Sequence, residues 1–98
     1  MIADLTYESF EPHQGTGFAI SSEGYDDVLT LIDLRRGTPN PRGGREPFTL
    51  KLRGGRSDVM FNSMMFTLSH PVMGEMHLFI NPVGKNDDGT FNYEVPFN

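Results

Sequence analysis

Residues 48–53 read Phe-Thr-Leu-Lys-Leu-Arg, with apolar and polar side chains in strict alternation. A period of two places Phe48, Leu50 and Leu52 on one face of an extended chain and Thr49, Lys51 and Arg53 on the other, the pattern of a strand with one side buried. The last residues repeat it, with Phe91, Tyr93, Val95 and Phe97 against Asn92, Glu94, Pro96 and Asn98. A helix would scatter these apolar positions around its axis, so the two runs commit the chain to β-structure.

Further strands follow from the same rule. Residues 64–69 turn Phe66 and Leu68 inward, and residues 75–81 turn Met76, Leu78 and Ile80 inward; Pro71 and Gly74 make the five residues between them a turn. Residues 16–22 read as a strand. Residues 27–35 are dense in Val, Leu, Ile and Thr, but Leu29 and Leu31 fall on one face while Val28, Ile32 and Leu34 fall on the other. That leaves two alternatives, a strand buried on both faces or a bulge. Turn residues recur at 22–24, 36–44, 54–58, 70–74 and 84–89, too often for an uncapped helix of ten or more residues.

The spacing predicts an all-β chain, a single small antiparallel β-barrel or sandwich of about six strands. Ninety-eight residues suit one domain, 1–98, with one modest core. Eight Phe, three Tyr and six Met supply its anchors, and without Cys its stability rests on packing, pairing or assembly. Phe48, Leu50, Leu52, Phe66, Leu68, Leu78, Ile80, Tyr93, Val95 and Phe97 are the expected core.

Two copies of Arg-Gly-Gly-Arg, at 42–45 and 53–56, flank the first alternating run. A strand over 46–53 separates them by roughly 26 Å at ~3.3 Å per residue, too far to cradle one phosphate. Arginine-glycine segments that bind nucleic acid are long and repetitive, whereas here each glycine pair sits where a strand must turn. The reading is structural, and no nucleic-acid partner is expected. The charge distribution suggests a further role. Residues 35–56 hold Arg35, Arg36, Arg42, Arg45, Lys51, Arg53 and Arg56 against Glu46, a balance of +6; the rest holds Lys85 against twelve acids, a balance of −11. The arginines at 35, 36, 42, 45, 53 and 56 are therefore candidate contacts between subunits, facing acids that include Asp26, Asp27, Asp87 or Asp88, with Phe79 or Phe61 as an apolar centre. Within the chain, alternation puts Arg53 and Glu94 on the outward faces of two strands and suggests them as a structural pair.

Catalytic chemistry finds no support in the motifs. His13, His70 and His77 have no neighbouring pattern that assigns a base to a nucleophile. His70 and His77 among Met60, Met64, Met65, Met73 and Met76 supply soft ligands suited to copper(I), but alternation sends Met76 and His77 to opposite faces, and Met fills irregular cores. Asn86-Asp87-Asp88-Gly89 lacks EF-hand ligand spacing and reads as a hairpin turn. Gly15-Thr16-Gly17 lacks the third glycine of a dinucleotide fingerprint. No metal, no cofactor and no enzymatic activity are expected.

The N-terminal stretch has neither a basic nor an apolar signal region, and no apolar run approaches the roughly 20 residues of a membrane helix. The expectation is a protein without membrane contact, cytoplasmic as synthesised, or part of a released or surface-associated particle.

Phe-Glu-Pro-His-Gln-Gly-Thr-Gly-Phe (10–18), Pro-Phe-Thr-Leu-Lys-Leu-Arg-Gly (47–54), Phe-Thr-Leu-Ser-His-Pro-Val-Met-Gly (66–74), Leu-Phe-Ile-Asn-Pro-Val-Gly (78–84) and Tyr-Glu-Val-Pro-Phe-Asn (93–98) together resemble a bacterial domain family of unknown function. Its pattern runs F-x-P-x-x-G-x-x-F, F-S-L-x-F-R-G, H-P-x-L-G, L-F-L-x-P-V-G and Y-E-A-x-F-N. Leu52 stands where the pattern has an aromatic, Met73 where it has Leu, and Val95-Pro96 where it has Ala-x. The resemblance implies a shared fold and assigns no activity. It associates the chain with tail-like or surface-associated structural proteins. The expected function is a non-enzymatic structural or interaction subunit, a homo-oligomer or particle component; the alternative is a small-molecule or glycan-binding module using a barrel mouth.

Overall fold

The computed structural model describes residues 5–22, 24–38, 41, 43 and 46–97. Six strands, β1 (Gly17–Ser22), β2 (Tyr25–Arg36), β3 (Phe48–Arg53), β4 (Met64–His70), β5 (Gly74–Lys85) and β6 (Phe91–Phe97), close an antiparallel barrel in the order β1-β2-β3-β6-β5-β4. The choice between barrel and sandwich resolves to a barrel. Ahead of it lie one turn of helix, α1 (Tyr7–Phe10), and a 3-10 turn at Glu11–His13.

Two long strands make the corners. β2 pairs with β1 through its first half and with β3 through its second; β5 does the same with β4 and then β6. The register shifts between Leu31 and Asp33 in β2 and between Pro82 and Gly84 in β5. An extra residue bends a strand and flips the side-chain phase beyond it. The shift in β2 explains its broken alternation: Leu29, Leu31 and Leu34 are all buried, whereas Val28 and Ile32 face out. Of the two alternatives for this strand, the bulge is the one present.

The barrel is thus two three-stranded meanders, β1–β3 and β4–β6, joined along two seams. Six residue pairs join β3 to β6, from Phe48–Phe97 to Arg53–Asn92. Among the described residues, the register pairs of β1 with β4 are Ala19–Ser69 and Ile20–Leu68.

All ten residues expected in the core are buried there, together with Phe10, Phe18, Ile20 and Phe61. At one end Phe48 and Phe97 stack with ring centroids 4.4 Å apart, and Phe10 lies 5.6 Å from Phe97 and 6.0 Å from Phe48. α1 exists to deliver this plug. It is too short to show a period, and its start is held by the Thr6 amide donating to Ser9 Oγ at 3.0 Å. Arg36 at the end of β2 fastens it, with its guanidinium 3.9 Å above the Tyr7 ring and 2.8 Å from Glu8. At the other end Phe61 packs 5.5 Å from Phe66, and its amide donates to the Tyr93 hydroxyl at 3.1 Å. Phe61 is therefore a core residue and not the exposed apolar centre expected above; Phe79 is exposed.

Because Phe10 is fully buried, Phe10→Ala should cost about 3–5 kcal/mol through lost burial and a residual cavity. Urea unfolding measures it, and an unchanged midpoint would show that α1 lies outside the cooperative core.

Candidate functional site

The turn after β3 is built on a buried carboxylate. Residue 27 shares the inward phase of Leu29 and Leu31, so the Asp27 carboxylate is carried under the chain, where it needs donors. Gly55 N–H donates to Asp27 Oδ1 at 3.0 Å, Val28 N–H donates to the same atom at 2.7 Å, and Arg56 N–H reaches Oδ2 at 3.4 Å. A Cβ on Gly54 would lie 3.1 Å from Oδ2, and one on Gly55 3.0 Å from Oδ1. The second glycine pair thus lets the backbone close on an anion belonging to the same chain.

The arginines follow the same principle. Arg53 donates to Asp88 at 2.7 Å and Arg35 to Glu94 at 2.6 Å. Arg53 and Glu94 are therefore not a pair: the register places Arg53 opposite Asn92 and Lys51 opposite Glu94, so Glu94 is reached by Arg35 instead. Arg36 pairs with Glu8 and Glu46, which raises its pKa and lowers that of Glu8. Arg56 grips Asp58 with two bonds, Nε to Oδ1 at 2.9 Å and Nη2 to Oδ2 at 2.7 Å, and holds that carboxyl below its ordinary range. Asp88 is pushed down to about 2, first by the Thr90 hydroxyl and amide and then by Arg53. Arg42 and Arg45 lie outside the described residues. Each of the other four candidate interface arginines is matched within its own chain.

His70, expected in a turn, closes β4 from inside. Its Nδ1 accepts the amides of Val72 at 3.1 Å and Met73 at 3.2 Å. Thr16 Oγ1 donates to the His13 carbonyl at 2.5 Å and so accepts from His70 Nε2–H at 3.0 Å. Gly74, at φ 81°, completes the reversal. Burial, then the nearby His13, lowers the His70 pKa. His77 faces out and meets Thr67 Oγ1 at 2.8 Å, so the two histidines do not converge.

Two grooves flank the short β1/β4 seam. The larger, about 710 Å³, lies on the outer wall over Ala19, Ser21, Val28, Thr67 and Ser69, with Asp26, Asp27 and Glu75 against Arg56 as its charges. The smaller, about 320 Å³, is lined by Ser22, Tyr25, Met64 and Phe66 and by residues 58–62. On β4, residues 67 and 69 belong to the outward row and 64 and 66 to the inward one, so the two grooves open on opposite faces of one seam. The sequence pointed to neither groove. The inward phase of Asp27 was the available signal, because a carboxylate in a core row demands a partner.

Fold and site together define a small closed β-barrel whose interior is filled and whose free chemistry lies on its wall. The chain belongs to the family described as a domain of unknown function (DUF6916), which matches residues 5–97. No curated protein and no solved structure matches the chain. No helix among the described residues is long and apolar enough to cross a membrane.

Two measurements check these contacts. Asp27→Ala should cost about 1–3 kcal/mol by stranding the turn amides, with faster hydrogen exchange at Gly55 and Arg56; unchanged exchange would mean that the turn does not depend on Asp27. For His70, the unfolded chain titrates near 6.5 and the folded one lower. The unfolded state binds the extra proton, so stability is full above about pH 6.5 and falls as pH drops through the folded value. Urea midpoints at pH 7.5 and 5.5 should fall further for the wild type than for His70→Gln; equal slopes would exclude His70 as the source.

Proposed function

We propose that this domain is a non-catalytic interaction subunit that self-assembles, or docks on a larger tail-like or surface particle, through the outer wall of its barrel. The observation that carries this is a cross-strand pair: Met65 and Phe79 sit opposite each other on β4 and β5 and are 57% and 43% exposed. Large apolar side chains held outward by strand phase, with the flexible thioether beside an aromatic ring, make an adaptable contact surface. Met60, Met64 and Tyr25 are exposed as well, but at the smaller groove on the other face of the seam.

Three of the polar groups near the grooves are engaged in holding the fold, which supports a non-catalytic reading: Asp27 in the turn, Arg56 with Asp58 and Thr67 with His77. The alternative, a ligand in the barrel mouth, meets an interior packed with Phe10, Phe18, Tyr93 and the strand leucines. Matching of Arg35, Arg36, Arg53 and Arg56 within the chain also changes the expected driving force. Contact through the wall is apolar, so association should persist as salt rises, where a charge-driven interface would weaken.

Sedimentation equilibrium at low and high salt tests this with wild type and Met65→Asp. The expected result is a salt-insensitive associated species in the wild type and a folded monomer in the variant. If the wild type is monomeric at every concentration, self-assembly is removed and docking is decided by a photo-crosslinker at position 79. A single crosslinked partner, lost in Met65→Asp, supports docking; no crosslink overturns the reading.

A further inference from the structure

The turn between β4 and β5 hangs on one imidazole. Pro71, Val72 and Met73 reverse the chain between His70 and Gly74, which are partners across the hairpin. The amides two and three residues ahead of His70, on Val72 and Met73, both donate to its Nδ1. Asn, Asp, Ser and Thr ordinarily fill this role, accepting the amides of a turn that they themselves begin. Their side chains offer an oxygen acceptor whatever the pH. An imidazole offers Nδ1 only while that nitrogen carries no proton, and it is the side chain whose charge changes near neutrality.

The surroundings of the ring fix its state. Thr16 Oγ1 accepts from Nε2–H, so Nδ1 is the bare nitrogen. The ring is 5% exposed, with its centroid 4.6 Å from that of Phe18 on β1 and 4.7 Å from that of His13 in the 3-10 turn. Pro71, Val72, Met73 and Gly74 bring no charge. Among the described residues that meet the ring, His13 is thus the titratable one, and no carboxylate forms an ion pair with it. None of these contacts stabilises an imidazolium. A proton added to Nδ1 would face two N–H donors, out of water and beside a second imidazole.

We propose that His70 is an acid-released latch: protonation of Nδ1 frees the turn over residues 71–73 while the rest of the barrel stays closed. A released ring titrates near 6.5 and the latched ring lower, pushed down by burial and then by His13. The released state binds the extra proton, so the latch holds fully above about pH 6.5 and is lost as pH falls through the latched value. Release stays local because the turn is thinly held. Val72 is 75% exposed and Met73 half-buried, whereas six register pairs and the Phe48–Phe97 stack hold β3 to β6. The latch is independent of the Met65–Phe79 contact surface, which lies toward the far end of the same hairpin.

Nuclear magnetic resonance of the full chain between pH 7.5 and 5.0 tests the latch. Ring nitrogen shifts of His70 follow the protonation of Nδ1. Amide protection factors, corrected for the intrinsic pH dependence of exchange, follow the turn. In the wild type, protection at Val72 and Met73 should fall at least about tenfold as the ring protonates, with Leu50 and Val95 unchanged. His70→Asn places an amide oxygen where Nδ1 stood and has nothing to titrate, so its Val72 and Met73 protection should change less than about twofold. The proposal is overturned by a ring still neutral at pH 5.0, by turn protection that survives protonation, or by loss at Leu50 and Val95 in step with the turn. The same pH response in His70→Asn would also overturn it. The first three outcomes are read from the wild type alone, so the test stands even if the variant does not fold.

Discussion

A carboxylate turned toward a core must find donors in the chain or lose several kcal/mol of solvation. Asp27 meets that requirement with backbone amides alone, and much of the molecule is arranged around the result. The turn at Gly54-Gly55 is drawn against the start of β2, which fixes how β3 leaves the barrel. Arg53 is thereby aimed at Asp88 across β6, and Arg56 at Asp58 and the Asp26 carbonyl. The same turn forms one lip of the larger groove. The glycines suit this turn because a Cβ there would press within 3.0–3.1 Å of the carboxylate that holds it, which would have to give by a few tenths of an ångström.

Alternation made most of the barrel readable before any coordinates. Phe48-Leu50-Leu52 and Tyr93-Val95-Phe97 have no other way to bury one face, and they prove to be neighbouring strands in register, Leu50 opposite Val95. The irregular apolar run in β2 showed a change of phase between Leu31 and Leu34, which left a bulge and a strand buried on both faces as alternatives until the register decided for the bulge. What could not be read was local structure without a period. α1 is a single turn whose contribution is one ring, Phe10, and neither propensity nor patterning marks so short an element. Phe61 lies between strands and has no alternation to place it.

Charge was legible as a sum and misleading as a map. A +6 segment on an acidic body suggested surfaces that meet between molecules, but sequence distance says nothing about which acids a closed barrel brings near. β6 carries Glu94 beside β3, within reach of Arg35 from the next strand, and the β5–β6 turn brings Asp88 to Arg53. Exposed pairs of this kind contribute little each. The outward apolar side chains, Met65 and Phe79 among them, are what composition cannot locate.

The two meanders also set an order of assembly. β1 with β2, β2 with β3, β4 with β5 and β5 with β6 are neighbours in sequence, so each half can form from local pairings with little loop-closure entropy. Joining the halves requires contacts between residues 39 to 50 positions apart, from Arg53–Asn92 to Ala19–Ser69. The β3/β6 seam, with six pairs and the Phe48–Phe97 stack, offers a large return for that closure; the β1/β4 seam, with two pairs among the described residues, offers less. With fewer described register pairs than β3/β6, the β1/β4 seam is where a partial opening of the barrel is expected to begin.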